Sequence, residues 1–276
     1  MDFHFPPEYE GFRNEIREFA RQELPADWGE EELDNGGSEA VKAIRKKLAA
    51  KGWLTLPWPK EYGGMGAPHL QQMVFNEETA YNRVPATDNA ITMLGPILML
   101  EGNEEQKSSF LPPIANAEVR WAQGYSEPGS GSDLASVQTR AVEDGDDYII
   151  NGSKIWTSFA HYSDWIFMLA RTDPDAPKHR GISFFLADMK TPGLTVRPII
   201  NMAGIHGFNE VFFDNVRVPK RNLVGELNRG WYVGARLLDF ERSGIGRSAG
   251  ARRTLEELVK FAKETNWNGQ TLAKNP

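Results

Sequence analysis

A loop rich in glycine and hydroxyl residues near the middle of the chain is the first candidate for chemistry. Residues 123–133 read Gln-Gly-Tyr-Ser-Glu-Pro-Gly-Ser-Gly-Ser-Asp. Such a loop can present backbone N–H groups and hydroxyls to an anionic or heteroaromatic ligand. A plain surface loop between two strands would have the same composition, so composition alone leaves both interpretations open.

A second candidate is the tripeptide Trp156-Thr157-Ser158, which follows a predicted strand. An aromatic plane can cover one face of a cofactor ring while a neighbouring hydroxyl donates a hydrogen bond to a ring heteroatom. A core tryptophan followed by a turn gives the same pattern, and taken alone it is the more common arrangement.

The third candidate is a carboxylate, Glu241, within a predicted helix. Helical spacing puts Leu237 and Leu238 one turn before it and Ile245 one turn after it. Burial on this apolar stripe would raise the pKa of the carboxyl group and suit it to removing a proton. The alternative is a solvated glutamate or the partner of a nearby arginine.

Composition excludes several other kinds of site. The chain has no cysteine, which excludes disulfides, cysteine-ligated zinc and thiol nucleophiles. None of its five histidines forms a pair at ligand spacing on one helix face, so no metal site is predicted. Gly244, Gly246 and Gly250 lie inside a predicted helix, where close helix packing explains them better than a dinucleotide fingerprint.

Charge and hydropathy bear on the partners. The 276 residues carry a formal net charge of −7, which argues against nucleic acid as a partner because phosphate binding depends on Lys and Arg. The N-terminus has no secretory signal, and the longest nearly uncharged apolar stretch, residues 90–100, is about half as long as a membrane span. We therefore expect a soluble, cytoplasmic protein that binds no membrane.

Three regions of different periodicity must position these candidates. Helical spacing in the first third predicts five helices, and the last begins with a capping box at Asn103 and Gln106 and is broken at Pro112-Pro113. After Arg120 the period becomes two residues, with turns at Asp144-Gly145 and Asn151-Gly152. This part predicts about seven short strands forming a β-sandwich or barrel, with strands among them at residues 137–141, 210–214 and 216–218.

From about Leu227 the helical period returns and predicts one helix of roughly 35 residues. The fold class is therefore α+β and multidomain. We assign an N-terminal helical bundle to residues 1–118, a middle β-domain with the ligand contacts to 119–226, and the first long helix of an incomplete C-terminal helical bundle to 227–276. A long amphipathic helix without partner helices has an unburied face, so most of a third domain is expected to be missing.

Several segments together resemble a known family. Glu-Tyr-Gly-Gly-Met-Gly at 61–66 is followed by Tyr-Ser-Glu-Pro-Gly-Ser-Gly-Ser-Asp at 125–133. Asp-Gly-Asp-Asp-Tyr-Ile-Ile-Asn-Gly at 144–152 and Phe-Asp-Asn-Val-Arg-Val-Pro at 213–219 come next. In this order they resemble the acyl-CoA dehydrogenases, flavoenzymes that desaturate acyl-CoA thioesters, and the resemblance covers essentially the whole chain.

The resemblance implies roles for individual residues. Those implied to contact FAD are Gln123, Gly124, Tyr125, Ser126, Ser132, Trp156, Thr157 and Ser158. Ser132 would also touch the pantetheine arm of the substrate, and Asp239 and Arg242 match positions that contact coenzyme A. Glu241 matches the catalytic base of the isovaleryl and long-chain branch, where it removes the α-proton while the β-hydride leaves for flavin N5.

The resemblance also implies partners and alternatives. An electron-transfer flavoprotein would be the electron acceptor, and the protein would form a homo- or hetero-oligomer, a dimer or tetramer. The run at 207–213 resembles a bacterial branch that includes dehydrogenases of steroid side-chain CoA esters, some of which are mixed oligomers. The alternatives are a non-catalytic or partner-completed subunit, and a flavin oxidase or monooxygenase on the same fold.

Overall fold

The computed structural model describes residues 5–29, 37–241 and 245–274, without the side chains of Glu241 and Ile245. Within this part, the first third is helical, and a π-helical turn, Ala90–Leu94, precedes its fourth helix. The helices are α1 Pro7–Glu23, α2 Glu39–Ala50, α3 His69–Tyr81, α4 Gly95–Glu101 and α5 Glu104–Ala115. The five predicted helices are therefore present.

The ends of these helices follow from local chemistry. The predicted capping box of α5 is confirmed: the Asn103 side chain accepts from the Gln106 N–H at 2.8 Å, and the Gln106 side chain accepts from the Asn103 N–H at 3.1 Å. The predicted break at Pro112-Pro113 is wrong, because α5 continues through both prolines to Ala115. Prolines at these positions free the carbonyls of Ser108 and Ser109, which are exposed residues that water can reach.

The middle of the described chain forms one eight-stranded sheet. Its path is β6-β7-β3-β2-β4-β5-β8, and β1 pairs with β4 in parallel. The strands are β1 Trp121–Gly124, β2 Arg140–Asp144, β3 Asp147–Ser158, β4 Trp165–Arg171, β5 Ile182–Asp188, β6 Leu194–Ile200, β7 His206–Pro219 and β8 Leu223–Val224. The sequence predicted about seven strands, and the strand boundaries differ from the predicted ones in three places.

The first of these corrections is at Asn151-Gly152, which is not a turn, because β3 runs through it without interruption. Gly152 is needed there since a Cβ would lie 2.7 Å from the Cα of Thr139. The predicted strands 210–214 and 216–218 are one strand, β7, with Asn215 in a left-handed conformation where the ladder shifts register. The strand predicted at residues 137–141 begins only at Arg140.

Two apolar cores lie on opposite faces of the β4–β5 pair. Ile166, Met168 and Phe185 face a core formed with β3 and β7, so the sheet folds back on itself. Their neighbours Phe167, Leu169 and Phe184 face a second core that they share with the N-terminal helices. A strand pair buried on both faces connects the sheet to the helical bundle.

The C-terminal part contains two helices on either side of residues 242–244, which lie outside the described residues. They are α6 Gly230–Glu241 and α7 Ile245–Glu264, followed by a short hairpin of β9 Asn266–Trp267 and β10 Gln270–Thr271. The predicted helix of roughly 35 residues passes through residues 242–244, so its continuity there lies outside the described residues.

Helix α7 packs against α3 of the N-terminal region. Arg83 forms a two-pronged ion pair with Glu257, at 2.9 and 2.7 Å, and Arg253 donates to the Tyr81 carbonyl at 3.0 Å. Gly246 lies close to α3, where a Cβ would be 3.4 Å from that of Ala80, in line with the predicted helix packing. Gly250 has no such neighbour, and Gly244 lies outside the described residues.

The other side of α7 carries exposed apolar side chains, including Leu255, Leu258 and Phe261. This is the unburied face that the sequence predicted. Among the described helices, none combines the length and hydrophobicity needed to cross a membrane. The predicted fold class is confirmed: a helical region, a β-domain, and the beginning of a second helical region.

Candidate functional site

The candidate site is built around a β-bulge near the end of β3. Lys154 pairs with Val211 and Thr157 with Asn209, so three steps along β3 match two along β7. The extra residue lets Trp156 adopt a left-handed backbone conformation with φ of 59°. For a residue other than glycine, this conformation costs about 1–2 kcal/mol.

The bulge brings the Trp156 ring to the surface. Upstream of it, the even-numbered side chains Tyr148, Ile150 and Lys154 are all buried, and an unbroken strand would bury Trp156 as well. Instead, 58% of Trp156 is exposed and the side chain of Thr157 is fully buried. A buried core tryptophan, the alternative reading of the sequence, is therefore wrong for this position.

Two neighbours complete this surface. The ring of Phe208 meets the Trp156 indole edge to face, with centroids 6.2 Å apart and planes at 85°. Ser158 is half-buried and lies opposite Phe208 in the β3–β7 ladder. The predicted pairing of a large ring with a nearby hydroxyl is thus available at Trp156 and Ser158.

The end of β1 lies beside this segment. The backbone N–H of Ile155 donates to the Ser126 carbonyl at 2.9 Å, and Lys154 Nζ donates to the Tyr125 carbonyl at 3.3 Å. The structure thus brings residues 123–126 and 154–158 together, although about 30 residues separate them in the sequence. Gln123 and Ser126 are half-buried, so both can still be reached by a ligand.

A buried ion pair fixes the geometry between the two segments. Lys154 Nζ lies 2.7 Å from Glu127 Oε1, and that carboxylate also accepts from the backbone N–H groups of Gln138 and Thr139 at 2.6 and 3.0 Å. Burial lowers the pKa of Lys154 to about 8, although the Glu127 charge opposes that shift. Burial by itself would raise the pKa of Glu127, but Lys154 and the backbone donors hold it below its usual value.

Three predicted ligand contacts are occupied by the protein itself. A Cβ on Gly124 would lie 2.8 Å from Ile166 Cδ1, so packing explains this glycine. Tyr125 is buried, and its hydroxyl donates a long hydrogen bond of 3.4 Å to the Gly234 carbonyl in α6. The side chain of Thr157 points inward, and its hydroxyl has no hydrogen-bond partner among the described residues. The side chains of Tyr125 and Thr157 therefore point into the protein, and at Gly124 the packing of the protein itself requires a glycine.

The other predicted contacts lie further away or outside the description. Ser132 is exposed on the loop that follows the Glu127–Ser130 turn. Asp239 is exposed on α6. Arg242 lies outside the described residues, as does the side chain of Glu241.

Helix α6 brings the position of Glu241 toward the site. Val233 and Leu237 are buried against the sheet, and a Cβ on Gly234 would lie 3.2 Å from the Tyr125 hydroxyl. Glu241 ends the helix four residues after Leu237, and about 10 Å beyond Gly234 along the axis. The backbone of Glu241 therefore continues the face that touches the end of β1.

Sequence reasoning missed a polar cluster next to Thr157. His161 and His206 stack with centroids 3.8 Å apart, and the amide of Asn209 contacts both rings, at 3.2 and 2.8 Å. The same amide donates to the Thr157 carbonyl at 3.0 Å. Spacing along predicted helices reveals only histidines on one helix face, whereas these two lie in different elements and meet only in the folded chain.

These observations test whether the residues fit a flat heteroaromatic cofactor. An exposed indole, held in an unfavourable backbone conformation, offers a stacking face, and the hydroxyls of Ser126 and Ser158 lie on the adjoining backbone. An indole face can stack on an aromatic ring, and neutral hydroxyls can form hydrogen bonds with heteroatoms at the edge of that ring. The residues present therefore fit such a cofactor.

Comparison with known sequences gives matches over both large regions. The model described as "Acyl-CoA dehydrogenase, N-terminal domain" matches residues 6–118, and "Acyl-CoA dehydrogenase, middle domain" matches residues 122–216. Among curated proteins, the chain is 40% identical over 266 residues to acyl-CoA dehydrogenase IpdE1 of Mycobacterium tuberculosis. That alignment covers 93% of this chain and 69% of IpdE1.

Solved structures give the same result. The ChsE4-ChsE5 complex from Mycobacterium tuberculosis matches with a TM-score of 0.86 and 37% identity, covering 100% of this chain and 71% of the matched one. The Tcur3481-Tcur3483 steroid ACAD matches with a TM-score of 0.84 and 38% identity, covering 96% and 69%.

Proposed function

Because this chain belongs to the acyl-CoA dehydrogenase family, whose members are oxidoreductases acting on CH–CH groups, we propose that it desaturates an acyl-CoA thioester between the α and β carbons. The observation that carries the proposal is the exposed Trp156 ring at the β3 bulge, with Ser158 beside it and Ser126 on the adjoining backbone.

The proposed cofactor is FAD. Trp156 would cover one face of the isoalloxazine ring, and the hydroxyls of Ser126 and Ser158 would donate to its edge. Gln123 and the backbone of residues 124, 125 and 157 would line the remainder, with Ser132 near the substrate arm. When bound, FAD supplies an acceptor for the β-hydride, while the protein supplies alignment and a water-poor surface.

The proposed catalytic base is Glu241. Its backbone position ends α6, one turn beyond the buried Leu237. An apolar surrounding favours the neutral acid and makes the carboxylate a stronger base toward the α-proton. Hydrogen bonds to the thioester oxygen would stabilise the enolate charge that develops as that proton leaves.

The substrate and partners are proposed from the same evidence. One relative is named a steroid ACAD, which favours a steroid side-chain or fatty acyl-CoA ester held by Ser132, Asp239 and Arg242. An electron-transfer flavoprotein is the proposed electron acceptor. Two solved relatives are named as pairs of proteins, so we propose an oligomer in which a second chain takes part.

A second candidate function is a subunit that becomes active only with a partner chain. The exposed Leu255, Leu258 and Phe261 of α7 favour it, because a helix face this apolar is normally covered. Flavin-free protein that gains stability only with a partner would support this candidate over the first.

The test is a visible absorption spectrum of the purified chain, before and after anaerobic addition of a panel of acyl-CoA esters. We expect a flavin band that bleaches with at least one ester. Glu241→Gln should slow bleaching by about 100-fold or more, since general bases contribute about that much. The matched control is Glu264→Gln, at the exposed end of α7.

Two other outcomes would each contradict a part of the proposal. If Glu241→Gln bleaches at the wild-type rate, the base is a different residue. Protein that stays colourless with added FAD, and is unaffected by every ester, would contradict the proposed activity for this chain alone.

A further inference from the structure

The segment that carries the candidate cofactor contacts is strained. Within residues 155–159, named here the bulge segment, Trp156 and Phe159 both have left-handed backbones, with φ of 59° and 58°. Side chains other than glycine rarely adopt this conformation, and it persists only where the surrounding structure fixes it. Some feature next to the bulge segment must therefore hold it in place.

The amide of Asn209 is well placed to hold it. Asn209 is fully buried, and its Nδ2 donates to the Thr157 carbonyl at 3.0 Å, at the pair where the ladder resumes after the bulge. Thr157 lies between the two left-handed residues. A single side chain thus anchors the centre of the bulge segment to β7.

The chemistry of the neighbours fixes which way this amide points. A carbonyl can only accept, so Nδ2 must face Thr157 and Oδ1 must face the other side. Oδ1 lies 2.8 Å from His206 Nε2, which must therefore donate, and Nδ2 lies 3.2 Å from His161 Nδ1, which must therefore accept. Every hydrogen-bonding atom of the amide then has a partner, and the amide cannot rotate without losing several bonds.

The network around Asn209 borders open space. His161, His206 and Asn209 all line a cavity of about 330 Å³ that reaches Lys190 and Ser163 on the other side. Open space beside the network allows the segment to relax if the amide bonds are lost. Close packing fixes the backbone elsewhere in the sheet, whereas the hydrogen bonds of Asn209 fix it here.

We propose that Asn209 is a positioning residue that holds the bulge segment so that the Trp156 ring and the Ser158 hydroxyl are presented to bound FAD. Asn209 itself touches neither cofactor nor substrate. The inference rests on the proposed function for its link to FAD, and on geometry alone for its effect on the bulge segment.

The test compares Asn209→Asp with Asn222→Asp. Both asparagines are buried, and Asn222 Nδ2 also donates to a backbone carbonyl, that of Leu186, at 3.0 Å. Both substitutions replace a donor with an acceptor facing a carbonyl. Asn222 lies after β7, away from the bulge segment, and is therefore a matched control for the loss of a buried hydrogen bond.

Three quantities are measured on each variant: thermal unfolding without FAD, the Kd for FAD together with the visible circular dichroism of the bound flavin, and amide hydrogen exchange. Asn209→Asp should weaken FAD binding about tenfold, which corresponds to about 1.4 kcal/mol, and should alter the flavin dichroism. It should also speed exchange within residues 155–159. Asn222→Asp should lower the melting temperature but leave FAD binding and the dichroism unchanged.

Equal loss of FAD affinity in both variants would overturn the proposal, as would a change in melting temperature alone. If the wild-type chain binds no FAD, the proposed function fails, and hydrogen exchange then decides the positioning role. Faster exchange confined to 155–159 supports it, and unchanged exchange overturns it. If Asn209→Asp does not fold, His206→Phe keeps a ring but removes the donor to Oδ1, and we expect a smaller effect in the same direction.

Discussion

Lys154 and Glu127 form a buried ion pair beside the bulge segment. Removing one member of such a pair leaves an unpaired charge in the interior, which typically destabilises a protein by about 3–5 kcal/mol. Lys154 is fully buried, and Glu127 retains only a trace of exposure. Their contribution therefore depends on both members being present.

We predict that Lys154→Met lowers the free energy of unfolding by about 3–5 kcal/mol. The double variant Lys154→Met with Glu127→Gln removes both charges and should be closer to the wild type in stability. Urea unfolding of the wild type, the single variant and the double variant measures this difference. Equal losses in the single and the double variant would show that the ion pair is not what the Lys154 site requires.

Individual residues also show how far sequence reasoning reaches. The residue types at Trp156 and Ser158 allowed either an aromatic face beside a hydroxyl or a core tryptophan, and the structure has an exposed Trp156 ring with a half-buried Ser158. The exposure of Trp156 could not be predicted, because it depends on a bulge that no local residue type specifies. Asn209 was missed for a similar reason: its role depends on which β7 residue lies opposite Thr157.

Ion pairs contribute to the attachment of helix α7 to the N-terminal region. Arg83 binds Glu257 through two hydrogen bonds, and Arg252 lies 3.7 Å from Glu77 in α3. The hydrogen bonds from Arg83 and Arg253 lower the pKa of Glu257 to about 2. Because these groups are partly exposed, salt and acid should both weaken the attachment.

We predict that hydrogen exchange in residues 245–264 speeds up in about 1 M salt, where the screening length falls to about 3 Å. The protection of these amides, measured relative to the intrinsic exchange rate at each pH, should also fall in acid. A carboxyl with a lowered folded pKa stabilises the folded state above its unfolded value of 4.5, and this contribution is lost as the pH falls toward 2. Helix α2, which has no part in these ion pairs, is the internal control. Exchange in α7 that is unaffected by salt would assign its attachment to apolar contacts.

Local sequence signals predicted the presence of a helix more reliably than they predicted where that helix ends. The Asn103 capping box predicted the start of α5, but the helix end was wrong because exposed carbonyls tolerate the loss of proline hydrogen bonds. The last helix was predicted as one continuous element because its apolar period runs through residues 242–244, which the structure does not describe.

The side chain of Gln106 connects the helical region to the β-domain. Besides its part in the capping box, its Nε2 donates to the carbonyls of Arg221 and Leu223, both at 2.7 Å. Gln106→Glu keeps an oxygen for the Asn103 N–H but loses both donors to the turn before β8. This substitution therefore separates the contact between the two regions from the helix cap.

We predict that Gln106→Glu lowers the free energy of unfolding by about 2–4 kcal/mol, because the carbonyls of Arg221 and Leu223 lose their donor and face the carboxylate of a buried side chain. Gln72→Glu is the matched control, since Gln72 Nε2 donates to the Ala67 carbonyl within the helical region alone. Denaturant unfolding of both variants measures the difference. Equal small losses would show that this contact does not stabilise the two regions together.

For the molecule as a whole, the switch from helical to two-residue period predicted three successive regions, and this order is confirmed. The packing between regions could not be predicted. Val233 of α6, Phe167 of β4 and Leu48 of α2 belong to one core. The sequence shows that each is an apolar position of its own segment, but not that the three pack together. The apolar core crosses both predicted domain boundaries, 118/119 and 226/227. These boundaries therefore remain a proposal made from the sequence.

The β4–β5 pair, buried on both faces, has a consequence for how such chains can be recombined. A crossover between homologous genes at the helix–sheet junction would keep each periodic pattern intact, yet would set the Phe167, Leu169 and Phe184 of one parent against helices of the other. Chimeras joined near residue 119 should therefore lose solubility unless these three positions are inherited with the helices. Chimeras that exchange only β6, an edge strand without a buried residue, should be tolerated much better.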